Sequence, residues 1–265
     1  MSEDILTSPP PHADVRLAYG SDANQFGELR LPKSKGPFPI AMNIHGGFWR
    51  AKYDLAHAGH LCAALSGKGI ATWNLEYRRV GNAGGAWPGT FDDIAAGFRF
   101  LSQVARRYQL DTARIVILGH SAGGQLALCL AAHEPAVTRV ISLAGVLDLQ
   151  QTFDLHLSND AVVEFLGGKP NDVPEHYHDA DPMRLSIPQA SQVLVHGTKD
   201  DIVPPAFSRN YVEKKKKAGE NVTLLEITQA DHFDLIDPRS TAWPGIEKTI
   251  LSSLRPADSA TQPSR

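Results

Sequence analysis

The sequence predicts an α/β fold: a mostly parallel sheet, helices on both faces, and a short cap-like insertion. Three observations predict it. Short apolar runs of strand length alternate with longer segments of helical spacing, the pattern of βα units. The central runs, such as Arg-Ile-Val-Ile-Leu at 114–118, are almost continuously apolar, as strands buried on both faces are. The chain also holds 22 glycines and 18 prolines in 265 residues, above the average share of about 12% and far below fibrous levels. That excess reads as many tight turns between regular elements.

Taken in order, residues 15–19 and 25–31 form a strand pair joined by Gly20-Ser21-Asp22. Residues 39–44 make a buried strand that enters His45-Gly46-Gly47. Residues 55–68 have helical spacing, with Leu55, Leu61, Cys62 and Leu65 on one side and Gly69 as the stop. Residues 70–75 are the next strand. Residues 88–109 form a long helix, with Pro88 near its first turn. The strand at 114–118 runs straight into Gly119-His120-Ser121-Ala122-Gly123-Gly124, and an Ala/Leu-rich helix follows to Ala132. Residues 137–144 are another strand. The alternation lapses over 148–188, a polar stretch with Pro170, Pro174, Pro182 and Pro188. About 40 residues cannot build an independent core, so this is an insertion that caps the sheet. Strand 192–196, helix 205–218, strand 221–227 and helix 242–254 complete the domain. Its expected limits are 14 and 255, with loose tails at 1–13 and 256–265.

Composition excludes several functions. Lys+Arg number 26 and Asp+Glu 29, a net charge of −3. No basic footprint for nucleic acid or anionic membrane exists. No apolar run reaches the ~18 residues of a membrane span, and residues 1–14 lack a signal-peptide pattern, so the expectation is a soluble, cytoplasmic protein. The two cysteines, Cys62 and Cys129, sit among Ala and Leu and read as buried thiols. The four-lysine run at 214–217 reads as a solvated helix face. His176 and His178 lack a third ligand at metal-site spacing, so no metal or cofactor is expected.

The chemical signal is Gly119-His120-Ser121-Ala122-Gly123. A G-x-S-x-G arises by composition in roughly one chain in ten of this length. A strand directly before it and a helix directly after it make it specific. The sharp turn holds Ser121 on strained backbone, and Gly119 and Gly123 leave room for strand and helix to pass. A serine hydroxyl needs a base to take its proton, and the base needs an acid to orient it. In this architecture the order is serine, acid, histidine. His232 falls on the loop after strand 221–227 and Asp200 on the loop after strand 192–196. Asp201 and Asp148 are rivals for the acid. The third signal is His45-Gly46-Gly47-Phe48-Trp49. Acyl transfer needs fixed donors for a developing oxyanion. The N–H of Ala122 and that of Gly47 or Phe48 fill that role. Trp49 and Trp87 are candidate aromatic walls of the substrate pocket, with His120 beside them. The Gly-rich loop 81–89 either lines the pocket or merely connects.

On these motifs the chain resembles α/β-hydrolase-fold serine hydrolases of the esterase and lipase branch. That branch includes the hormone-sensitive-lipase-like carboxylesterases and the kynurenine formamidases (arylformamidases). The resemblance covers roughly residues 35–250. The lipase-like esterases usually read HGGG, whereas His45-Gly46-Gly47-Phe48-Trp49 is similar to the formamidase pattern HGG-aromatic-W. Asp231-His232-Phe233 resembles the formamidase D-H-F. The resemblance implies a carboxylesterase on small to medium acyl esters, with an arylformamidase acting on N-formylkynurenine as the alternative. A non-catalytic binding protein on the same scaffold is a minor alternative. The expected partner is a small-molecule ester or formamide. Oligomeric state is left open, a homodimer included.

Overall fold

The computed structural model describes residues 2–255. One eight-stranded sheet runs through them, in the order β1-β2-β4-β3-β5-β6-β7-β8. Its strands are β1 (Val15–Ala18), β2 (Phe26–Arg30), β3 (Phe38–Ile44), β4 (Ala71–Leu75), β5 (Leu110–His120), β6 (Arg139–Leu143), β7 (Ser191–Gly197) and β8 (Val222–Ile227). β2 is antiparallel to β1 and β4, and every other pair is parallel. β1 alternates between half-buried and exposed, as an edge strand does, whereas β4 is buried along its whole length.

The helices are α1 (Gly59–Ser66), α2 (Gly89–Tyr108), α3 (Ala122–His133), α4 (Leu149–Asp154), α5 (Ala161–Leu166), α6 (Pro174–Ala180), α7 (Ala206–Lys217) and α8 (Trp243–Ser253). They divide between two faces because strand side chains alternate. Ile40, Met42 and Ile44 point into a larger core with α2, α3 and α7. Ala41, Val116 and Leu118 point the other way, into a smaller core with α1 and α8. The fold is that of the α/β hydrolases.

Three expectations change. Residues 2–6 are not a loose tail: Ser2–Leu6 forms a 3-10 helix, and Ile5 is fully buried in the smaller core. The tail at 256–265 lies outside the described residues. The segment 148–188 folds as the short helices α4, α5 and α6, without a core of its own, and its apolar residues pack into the larger core. β5 begins at Leu110, four residues early, because Leu110 pairs with Phe38 across an irregularity in the β3–β5 register. Within 214–217, Lys215 is buried beside Tyr211 and Glu220, while the other three lysines face solvent.

Candidate active site

Ser121 sits between β5 and α3 at φ 57°, ψ −123°, a region that a residue with a side chain rarely occupies. Its neighbours hold it there. Its N–H donates to Leu143 O at 2.8 Å, and its carbonyl accepts from Gly124 N at 2.9 Å and Val146 N at 3.2 Å. The flanking glycines are required by space. A Cβ at Gly119 would lie 2.1 Å from Gly123 O, and one at Gly123 would lie 2.1 Å from Ile44 O. Ala122 opens α3, and the first N–H groups of a helix have no partner within it.

His232 follows β8, and its Nδ1 donates to Asp200 Oδ2 at 2.7 Å. Asp200, on the loop after β7, takes three further hydrogen bonds. Its Oδ1 accepts from Ile202 N at 3.0 Å and Val203 N at 2.8 Å. Its Oδ2 lies 3.3 Å from His196 Nε2. Burial alone would raise this carboxyl; the bonds from His196 and His232, with the backbone N–H of Val203, outweigh it and hold Asp200 well below the usual carboxylate range. His196 is itself fixed. Its Nε2 donates to Val203 O at 2.9 Å, so Nδ1 accepts from the Ser208 hydroxyl at 2.7 Å. Asp201 is exposed, and Asp148 instead caps α4 by accepting from Gln151 N at 2.8 Å.

Ser121 and His232 line one cavity of about 150 Å³, together with Gly47, Phe48 and His120. Gly47 (φ 116°), Phe48 (φ 47°) and Trp49 (φ 58°) are all left-handed, so the loop after β3 is strongly bent. His45 anchors it: its ring nitrogens face Gly46 O at 2.8 Å and Glu76 Oε1 at 3.2 Å, and Tyr77 Oη donates to its carbonyl at 2.7 Å. The His120 ring lies 4.5 Å from that of His232, and its Nε2 donates to His232 O at 3.0 Å. Burial, with His232 and His57 nearby, pushes the His120 imidazole well below its ordinary value and keeps it neutral.

The two tryptophans are corrections. Trp49 is fully buried, stacks on Phe165 at 4.5 Å and donates from Nε1 to Gln125 at 2.9 Å. It turns into the core and anchors the loop to α3 and α5. Trp87 packs on Phe91 and Phe165, away from the cavity, and the loop at 81–89 contributes nothing to the lining. The walls come instead from Leu6, Tyr53, His57, Ser158 and Ile202, none of them expected. No local pattern marks these five. His196 had a signal: it ends a strand just before the acid loop, within reach of a carboxylate four residues on.

Set against known proteins, the chain matches the BD-FAE family model over residues 28–214. The chain belongs to the BD-FAE family. The BD-FAE match runs from β2 into α7, so it includes Ser121 and Asp200 and stops short of His232. Among curated relatives, a probable isoprenylcysteine alpha-carbonyl methylesterase of Arabidopsis thaliana is 24% identical over 85% of this chain and 52% of its own length. A kynurenine formamidase of Danio rerio is 23% identical over 83% of this chain and 75% of its own. The chain spans about half to two thirds of the length of the first curated relatives it matches. In fold, this BD-FAE chain superposes on a truncated carbohydrate esterase from gut microbiota with TM-score 0.79 at 20% identity, covering 93% of this chain and 99% of that one. The resemblance to the esterase branch of the α/β-hydrolase fold therefore holds.

Proposed function

We propose that the protein is a serine carboxylesterase that cleaves small to medium acyl esters through an acyl-enzyme on Ser121. The observation that carries this reading is the 2.7 Å bond from His232 to Asp200, made in the loops that bring His232 to the same cavity as Ser121. With Nδ1 donating to the carboxylate, His232 keeps Nε2 unprotonated and able to take a proton. Ser121 Oγ attacks the substrate carbonyl as Nε2 accepts its proton. The N–H of Ala122 and that of Gly47 or Phe48 hold the oxyanion. Collapse expels the alcohol, which takes the proton back from His232. A water, deprotonated by His232, then attacks the acyl-enzyme; collapse breaks the Ser121 Oγ–acyl bond, His232 returns the proton to Oγ, and the acid leaves.

An arylformamidase is the second reading. It is favoured by the formamidase relative and by Asp231-His232-Phe233, in which Asp231 accepts from Phe233 N and Asp234 N at 3.0 Å and so fixes the turn behind the base. The two readings share one mechanism and differ in substrate. Parallel assays with p-nitrophenyl acetate, p-nitrophenyl octanoate and N-formylkynurenine, on the natural chain and on Ser121→Ala, test both. The variant should lose at least about a thousandfold in kcat on the preferred substrate while keeping its fold. Turnover within tenfold of the natural chain would overturn the mechanism.

A further inference from the structure

Leu6 reaches the cavity from outside every loop that carries the proposed chemistry. Its neighbour Ile5 is buried with Ala230, Leu235 and Ile236, on either side of His232 in the segment after β8. The following residues are tied down at three points. Ser8 O accepts from His60 Nε2 at 3.2 Å, Pro11 O from the buried Arg30 Nη2 at 2.8 Å, and Asp14 Oδ2 from Leu31 N at 2.6 Å. Between them, Pro10 lies against α1 so closely that a Cβ on Gly59 would stand 2.6 Å from Pro10 Cβ. Residues 2–14 are thus a strap, fastened along its length, that delivers one aliphatic side chain to the reacting centre. The cavity it helps to close, about 150 Å³, falls below the ~300–1,000 Å³ of sites for drug-sized ligands.

We propose that Leu6 is a specificity-determining wall: the strap limits the chain length the cavity admits and restricts the protein to short-chain acyl substrates, acetyl to butyryl. This rests on the hydrolase reading above. Removing an aliphatic side chain from such a wall opens room for several methylenes, each of which can change discrimination by tenfold or more.

The test measures kcat/KM for p-nitrophenyl acetate, butyrate and octanoate, and labelling rates by fluorophosphonates with ethyl and octyl chains. Leu6→Ala should raise the octanoate-to-acetate ratio about tenfold. Leu6→Phe should lower the butyrate-to-acetate ratio. Leu6→Val, which keeps an apolar contact with the core, should move the ratios in the direction of Leu6→Ala by a few-fold. Ratios within twofold of the natural chain in all three variants, with labelling intact, would overturn the strap's role alone. A natural chain that neither probe labels would overturn the hydrolase reading and this inference with it.

Discussion

Replacing Asp200 by Asn changes one atom's chemistry, and the surrounding bonds dictate the result. Oδ1 accepts from two backbone N–H groups, Ile202 at 3.0 Å and Val203 at 2.8 Å. An amide nitrogen cannot sit there, because donor would face donor. The Asn oxygen must therefore take that place, and the amide nitrogen must take the Oδ2 place, 2.7 Å from His232 Nδ1. There it donates to Nδ1 and forces the proton of His232 onto Nε2. The base then has no lone pair for the Ser121 proton. The same amide also meets the His196 N–H, which would lose its shared acceptor at 3.3 Å but keep Val203 O at 2.9 Å. A wrong tautomer at such a base costs about 10⁴ in kcat, or ~5 kcal/mol of transition-state stabilisation. The exposed Asp201 serves as control, and Asp201→Asn should stay within about twofold. Initial rates on p-nitrophenyl acetate near neutral pH provide the assay. An Asp200→Asn enzyme within tenfold of the natural chain, or an Asp201→Asn enzyme that is the more damaged, would show that Asp200 does not orient the base.

Two further outcomes follow from the same geometry. Gly123→Ala would set a Cβ 2.1 Å from Ile44 O and 2.6 Å from His45 O, both backbone atoms that cannot swing aside, so urea unfolding should register a loss of about 3 kcal/mol or more. Burial, together with the nearby His45, pushes the His57 imidazole down to about 3. Its folded pKa lies below the unfolded value of about 6.5, so below that pH the unfolded chain binds the extra proton and stability falls as pH drops toward 3. His57→Gln should flatten the fall in Tm between pH 6.5 and 4 by about one proton's worth, ~1.4 kcal/mol per pH unit. A slope equal to that of the natural chain would refute it.

The parts of this molecule legible in its sequence are those in which local pattern and tertiary role coincide. Val116, Ile117 and Leu118 are apolar because the strand is buried on both faces there, and the two glycines flanking Ser121 are small because backbone passes 2.1 Å from where a side chain would begin. His232 and Asp200 could be chosen from eleven histidines and many acids because each follows a strand in the required order. Where a side chain turns is a tertiary matter. Trp49 stands beside the oxyanion loop in sequence but at φ 58° its indole enters the core and pairs with Gln125, 76 positions away. Leu6 and His57 carry no motif, since only the folding of residues 2–14 and of the segment after β4's partner β3 brings them to Ser121. The buried Lys215 is hidden in a run of four like charges because its burial depends on Glu220, across the turn.

In the proposed mechanism Ser121 carries the acyl group. Its most direct measurement is peptide mass spectrometry on protein acid-quenched during turnover of p-nitrophenyl acetate. One added acetyl group is expected, on the peptide containing Ser121, appearing with an initial burst of nitrophenolate and absent from Ser121→Ala. Sustained turnover with no acetylated Ser121 peptide, or acetylation elsewhere that persists in Ser121→Ala, would contradict it.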